Sequence, residues 1–295
     1  MSIGSGSAGQ RQWSGLVILV VTACALFGAV SAGAKVRVTS GGDFSCALKD
    51  SGKIACWGAD NEGQTSSPKG KFRSVSAADY GACAIRLDRS LACWGRDSNG
   101  QAEPPAKGTY ISVSMGGLHA CALKESHKVK CWGDDDTGQA SPPAGKFKSI
   151  SAGYATTCGV RMDETIACWG TGTEGQATPP AGKFRSVSAA NYSTCAIRLN
   201  GTIACWGDNS YGETTPPAGS FTALSSGYVH VCGIETSSDL VCWGRNDNGE
   251  SSPPPGKFKS IDAGSFHTCG VRPSDRVVCW GDDSSGQTDV PPGLG

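Results

Sequence analysis

Cys46-Ala47-Leu48-Lys49-Asp50-Ser51-Gly52-Lys53-Ile54-Ala55-Cys56-Trp57-Gly58 reads as a strand, a tight turn and a second strand. Asp-Ser-Gly is turn chemistry, and the residues on either side are small, branched or aromatic. If the hairpin is centred on Ser51, Cys46 faces Cys56, Ala47 faces Ala55 and Leu48 faces Ile54. Directly opposed Cβ atoms on antiparallel strands lie about 4.5–5.5 Å apart, within reach of a disulfide after modest adjustment. One face of the hairpin then carries Cys, Leu, Ile and Cys, and the other Ala, Ala and Trp. Both faces are apolar, so both need cover.

The stretch recurs along the chain. Cys-Trp-Gly returns at Trp57, Trp94, Trp132, Trp169, Trp206, Trp243 and Trp280, a period of about 37 residues with one extra residue near Lys107. Each of these cysteines has a partner ten positions earlier. The expected bridges are Cys46–Cys56, Cys83–Cys93, Cys121–Cys131, Cys158–Cys168, Cys195–Cys205, Cys232–Cys242 and Cys269–Cys279. Zinc is the rival reading, but one pair per repeat is not a four-ligand cluster. Gly-Gln or Gly-Glu follows each Trp by six positions, then a Pro-rich turn, then an aromatic such as Phe72, Tyr110 or Phe147 that opens a further strand. Each repeat therefore supplies a three-stranded sheet with two buried faces. Seven such sheets cover one another best as a closed ring, an all-β, seven-bladed β-propeller of short blades with one disulfide in each. An open solenoid would need polar end repeats, and the terminal repeats here carry the same core residues as the others.

Composition agrees with short strands and tight turns: 42 glycines and 15 prolines in 295 residues. Lys+Arg and Asp+Glu are both 26, so net charge gives no reason to expect nucleic acid or an anionic membrane as partner. Fifteen cysteines point to an oxidising compartment. The N-terminus fits export: Arg11, then an uncharged, mostly apolar run from Leu16 to Ala34 that ends in small residues. Residues 1–34 are expected to be a cleaved signal peptide, with residues 35–295 as the propeller. An uncleaved anchor and, at Val21-Thr22-Ala23-Cys24, a bacterial lipoprotein signal are the alternatives. Loss of the segment removes Cys24 and leaves an even cysteine count.

Ala-Gly-x-x-His-x-Cys-Gly-Val at Ala263–Val271, followed by Val-x-Cys-Trp-Gly and Gly-Gln, resembles the repeat of the regulator-of-chromosome-condensation superfamily. The resemblance covers residues 36 to about 292 and itself implies a seven-bladed propeller. The short repeats with paired cysteines are similar to a secreted subgroup, the propeller-type β-lactamase-inhibitory proteins and the crinkly-type ectodomains of plant receptor kinases. That implies an extracellular, monomeric, protein-binding module, of which an enzyme inhibitor is one form. A carbohydrate-binding or cell-envelope protein is the alternative. Guanine-nucleotide exchange is a third reading, against which export argues.

The up-down-up order of strands puts the loop between strands one and two on the same face as the loop after each Trp. Phe44, Tyr80, His119, Tyr154, Tyr192, Tyr228, His230, Phe266 and His267 are the candidate binding rim, alongside Asp and Asn residues whose plainer role is turn formation. The hairpin-turn face mixes signs, with Lys49, Asp50, Arg86, Asp88, Arg89, Lys124, Glu125, Arg161, Asp163, Glu164, Arg198 and Arg272, and is expected to be ordinary solvated surface without function. His230 and His267 on neighbouring blades, and Asp134-Asp135-Asp136, raise the question of metal; structural use is the favoured reading of the histidines, and no metal or cofactor is expected. No nucleophile–base pair or phosphate-cradling loop stands out, so no enzyme is expected. Asn191-Tyr192-Ser193 and Asn200-Gly201-Thr202 are glycosylation sequons.

Overall fold

Hairpins with β-type flanks organise the whole described chain, and no helix interrupts them among the described residues. The computed structural model describes Met1 and residues 36–295. The expected signal segment lies outside these. Seven separate three-stranded antiparallel sheets follow one another, the first made of Arg37–Ser40, Phe44–Leu48 and Ile54–Gly58 and the last of Ser260–Ala263, His267–Val271 and Val277–Gly281. Strand order within each sheet is sequence order, from the innermost strand outward.

The middle and outer strands pair in the register read from the turn: Cys46 opposite Cys56, Ala47 opposite Ala55, Leu48 opposite Ile54. All seven expected bridges form, with Cα atoms 4.0–4.1 Å apart. One residue of each hairpin turn is left-handed. Gly52 and Gly201 fill two of these places, whereas Arg89, His127, Glu164, Ser238 and Asp275 occupy the others with φ between 63° and 73°.

Two sets of bonds stitch each blade to its neighbour, a third does so at three junctions, and all three join blade seven to blade one. The first explains Gly-Gln. The carbonyl of Gln64, Gln101, Gln139, Gln176, Glu213 and Glu250 accepts the indole N–H of the next blade's Trp, at 2.8–3.0 Å. Gln287 does the same for Trp57, closing the ring at 2.9 Å. The side-chain carboxyl or amide oxygen meanwhile accepts a backbone N–H two residues back, as from Glu62 to Gln64 and from Tyr211 to Glu213. An acceptor suffices there, so Glu can replace Gln.

The second set lies at the axis. Thr39, Ser76, Ser114, Ser151, Ser188 and Ser225 each accept, through the hydroxyl, a backbone N–H from the next inner strand, at 2.8–3.0 Å. Asp262 completes the ring by accepting the Ser40 N–H at 2.7 Å. The third set uses histidine. His119 Nε2 lies 2.7 Å from Thr157 Oγ1, His230 Nε2 2.7 Å from Thr268 Oγ1, and His267 Nε2 2.8 Å from Ser45 Oγ.

A buried aromatic opens the first strand in five blades, at Phe72, Tyr110, Phe147, Phe184 and Phe221, and in blade seven Phe258 stands two residues before it. Blade one has no such residue among those described. Leu294, buried near the C-terminus, packs instead with Val36, Val38, Ala47, Val271, Val277 and Val290, and its carbonyl accepts the Val277 N–H at 2.6 Å.

The hairpin-turn face is not merely solvated, which corrects the expectation. The guanidinium groups of Arg86, Arg161, Arg198 and Arg272 lie over the rings of Phe72, Phe147, Phe184 and Phe258, at 3.9–5.1 Å from the ring centres. Each also donates to a carbonyl of the Pro-rich loop, as Arg161 does to Ala144 at 3.0 Å. These arginines roof the aromatic layer, a cation–π contact worth about 0.5–1 kcal/mol where exposed.

Candidate functional site

The two loop sets do share one face. The N–H two residues after each Trp bonds back to the loop before the middle strand: Ala59 to Asp43, Arg96 to Tyr80, Asp208 to Tyr192, Asp282 to Phe266. This face therefore has a fixed backbone frame, from which side chains project in columns one repeat apart.

Two columns make the rim. One holds Asp79, Tyr154, Asn191, Tyr228 and Ser265 in successive or alternate blades, and the next holds Asp43, Tyr80, Tyr192 and Phe266. Tyr80, Tyr154 and Tyr192 are each about 40% exposed, unusual for side chains of this size. Tyr192 meets Tyr228 edge to face at 5.8 Å, and Tyr228 meets Phe266 at 5.6 Å. Arg245 lies over Phe266 at 5.1 Å and within 5.7 Å of the half-exposed Tyr211, while Arg96 covers Tyr80 at 5.2 Å. A hydrogen bond to Tyr192, with burial, holds the Tyr228 phenol well above its usual range. The result is an ordered aromatic arc over blades five to seven, with Tyr80 and Tyr154 on blades two and four.

Inside the arc the axis opens as a pocket of about 90 Å³ lined by Asp79, Tyr154, Asn191, Tyr228 and Ser265. Asp79 accepts from the Ser265 hydroxyl at 3.2 Å; burial, reinforced by Asp43, raises its pKa. The Asp43 carboxyl is also raised, by burial and then by Asp282.

Four expected rim residues are not on the rim. Phe44, His119, His230 and His267 are fully buried. They occupy one column, the first residue of the middle strand, whose side chain points into the blade interface. The histidines are the inter-blade staples described above. Burial lowers their pKa values to about 4, 3 and 4 for His119, His230 and His267, so they are neutral near pH 7. Counting columns instead of nearest aromatics would have separated Phe44 from Tyr80. The Asp or Asn three residues after six of the tryptophans is spoken for too. Asp60, Asp97, Asp135, Asn209, Asn246 and Asp283 each accept the backbone N–H five residues on, at 2.8–2.9 Å. The Asp134 and Asp135 carboxylates bond within their own loop. Arg96, Tyr211 and Arg245 also belong to the arc; their sequence signal is weak, because the post-Trp loop is dominated by acidic and amide residues.

The model of the regulator of chromosome condensation (RCC1) repeat matches residues 36–64, 110–139, 184–213, 221–250 and 258–287, half of the chain. This chain belongs to the RCC1 repeat family. Among solved structures, this RCC1-repeat protein is similar to the entire ectodomain of the receptor kinase CR4 from Physcomitrella patens: 29% identity, 84% of this chain and 72% of that one, TM-score 0.72. It is similar also to the crinkly ectodomain of the Arabidopsis thaliana receptor kinase ACR4, with 27% identity over 84% of this chain and 96% of that one, TM-score 0.71. Prp20p from Saccharomyces cerevisiae shares the fold at 15% identity, covering 78% of this chain and 80% of that one, TM-score 0.65. No curated protein matches the sequence significantly.

Proposed function

We propose that this RCC1-repeat propeller is an extracellular recognition module that docks a protein partner on its loop face, with Tyr80, Tyr154, Tyr192, Tyr228 and Phe266 as the contact. The observation that carries the reading is the arc itself. Large side chains are held there by one another and by Arg245, yet remain partly exposed, at positions that other blades fill with Gly, Ala, Ser, Asp, Asn, Leu or Val, so the fold does not require an aromatic there. Rigid aromatics and arginine are the residues that anchor protein interfaces. The seven bridges and the likeness to two receptor-kinase ectodomains support the extracellular setting. The role is recognition; occupying an enzyme's active site is its narrower form.

Photo-crosslinking tests it. A benzoylphenyl side chain placed at Tyr192 or at Phe266 is expected to capture a discrete protein from the native medium. The same group at Leu199, more exposed than Tyr192 but on the hairpin-turn face, should capture none. Capture at Leu199 alone would move the site to the other face. Loss of the Tyr192 adducts on adding free sugars would favour carbohydrate recognition.

A further inference from the structure

Six of the seven axial positions are hydroxyls, and the seventh is a carboxylate. Below the mouth pocket, and sharing with it Ala77, Met115, Ala152, Ala189 and Ala263, lies a cavity of about 120 Å³. Its wall carries the ring of hydroxyls and Asp262, but no Lys, Arg or His. Asp262 is surrounded by protein, yet part of its surface is accessible, because that surface faces the cavity. Its Oδ2 accepts the Ser40 N–H, and Oδ1 accepts the Ser225 hydroxyl at 3.2 Å. Thr39 is a further hydrogen-bond partner. These donors are all neutral, so they orient the carboxylate without cancelling its charge. A buried charge is costly unless an opposite charge meets it.

The cavity can hold that opposite charge. Water takes about 30 Å³, so the space admits an ion and several waters. Carboxylate and hydroxyl oxygens are hard ligands. Calcium sites commonly bring several carboxylates among six to eight oxygens, and magnesium demands near-octahedral geometry. A single carboxylate matches one positive charge. We propose that the cavity binds one alkali-metal cation, Na⁺ or K⁺, against Asp262, with the Ser225 and Thr39 oxygens and water completing its shell. Hydroxyls at the other six positions explain why only this side of the ring holds it.

The test compares urea unfolding at pH 8 of the wild type, Asp262→Ser and Asp262→Asn. Ionic strength is fixed with tetramethylammonium chloride, which cannot ligate oxygen, and NaCl or KCl replaces it stepwise. Serine restores the residue of five other blades, and asparagine keeps the shape without the charge. The folding equilibrium constant of the wild type is expected to rise about tenfold when the ion reaches ten times its dissociation constant, with neither variant responding. The ²³Na resonance should broaden with the wild type and stay sharp with the variants. Equal responses from all three proteins, or none from the wild type, would overturn the proposal. So would a response of the wild type to CaCl₂, added in a parallel titration at the same ionic strength, with none to NaCl or KCl.

Discussion

Asp262 and the three core histidines set opposing pH dependences through burial of single side chains. Burial lifts the Asp262 carboxyl from 3.8 to about 6. The folded chain therefore holds this proton where the unfolded chain has lost it, and the resulting stability disappears as pH rises through 6. Asp262→Ser is accordingly expected to gain on the wild type between pH 4 and 7.5, by roughly 3 kcal/mol in sodium- and potassium-free buffer. The histidines act in the other direction. Their folded pKa values lie below the usual 6.5, so the unfolded chain binds more protons and stability falls as pH drops from about 6.5 toward 4. His119→Gln should remove about one proton from this limb, flattening it by about 1.4 kcal/mol per pH unit near pH 5. Urea midpoints measured across pH 4–8 read both effects, and an unchanged acid limb would mean that His119 is not held neutral by the fold.

At the scale of the hairpin, the strands were legible and the cavity was not. The ten-residue spacing of Cys46 and Cys56 around Asp-Ser-Gly leaves one register, since a one-residue slip would turn both sulfurs to opposite faces. The Trp and Gly-Gln positions were visible as a rhythm, but the bond joining them was not, because it crosses from one repeat to the next. Phe44 misled for the same reason: in the chain it stands beside Asp43 like any loop aromatic, and only its place as the first inward residue of a strand buries it. Asp262 is silent in the sequence, since a single Asp in place of Ser looks like drift until the ring is closed. The turns carry a prediction of their own. Ser238 holds φ at 68°, a region costly for a residue with a Cβ. Ser238→Gly, as at Gly52 and Gly201, should stabilise the protein by about 0.5–1 kcal/mol despite the looser unfolded chain, observable as a higher urea midpoint.

Across the whole molecule, the seven blade junctions are joined by the same Trp, axial and strand contacts, but only one junction joins the two ends of the ring. There Gln287 holds Trp57 and Ser45 meets His267, while Leu294 fills the aromatic layer. Leu294→Ala should cost about 2–5 kcal/mol, the usual range for a buried leucine, and should raise amide exchange first in residues 36–40 and 277–281. Equal exchange at every junction in that variant would mean that the ends of the ring are no weaker than its middle.

Every disulfide joins cysteines that are immediate neighbours in the cysteine order, ten residues apart and within one hairpin. A chain that meets its oxidant progressively, N-terminus first, needs only to pair each new cysteine with the one before it. Counted from Cys46 onward, the correct set of bonds is then also the set reached by simple order of arrival. Covalent maturation can run ahead of ring closure without reshuffling, leaving the meeting of first and last blades as the only step that waits for the complete chain.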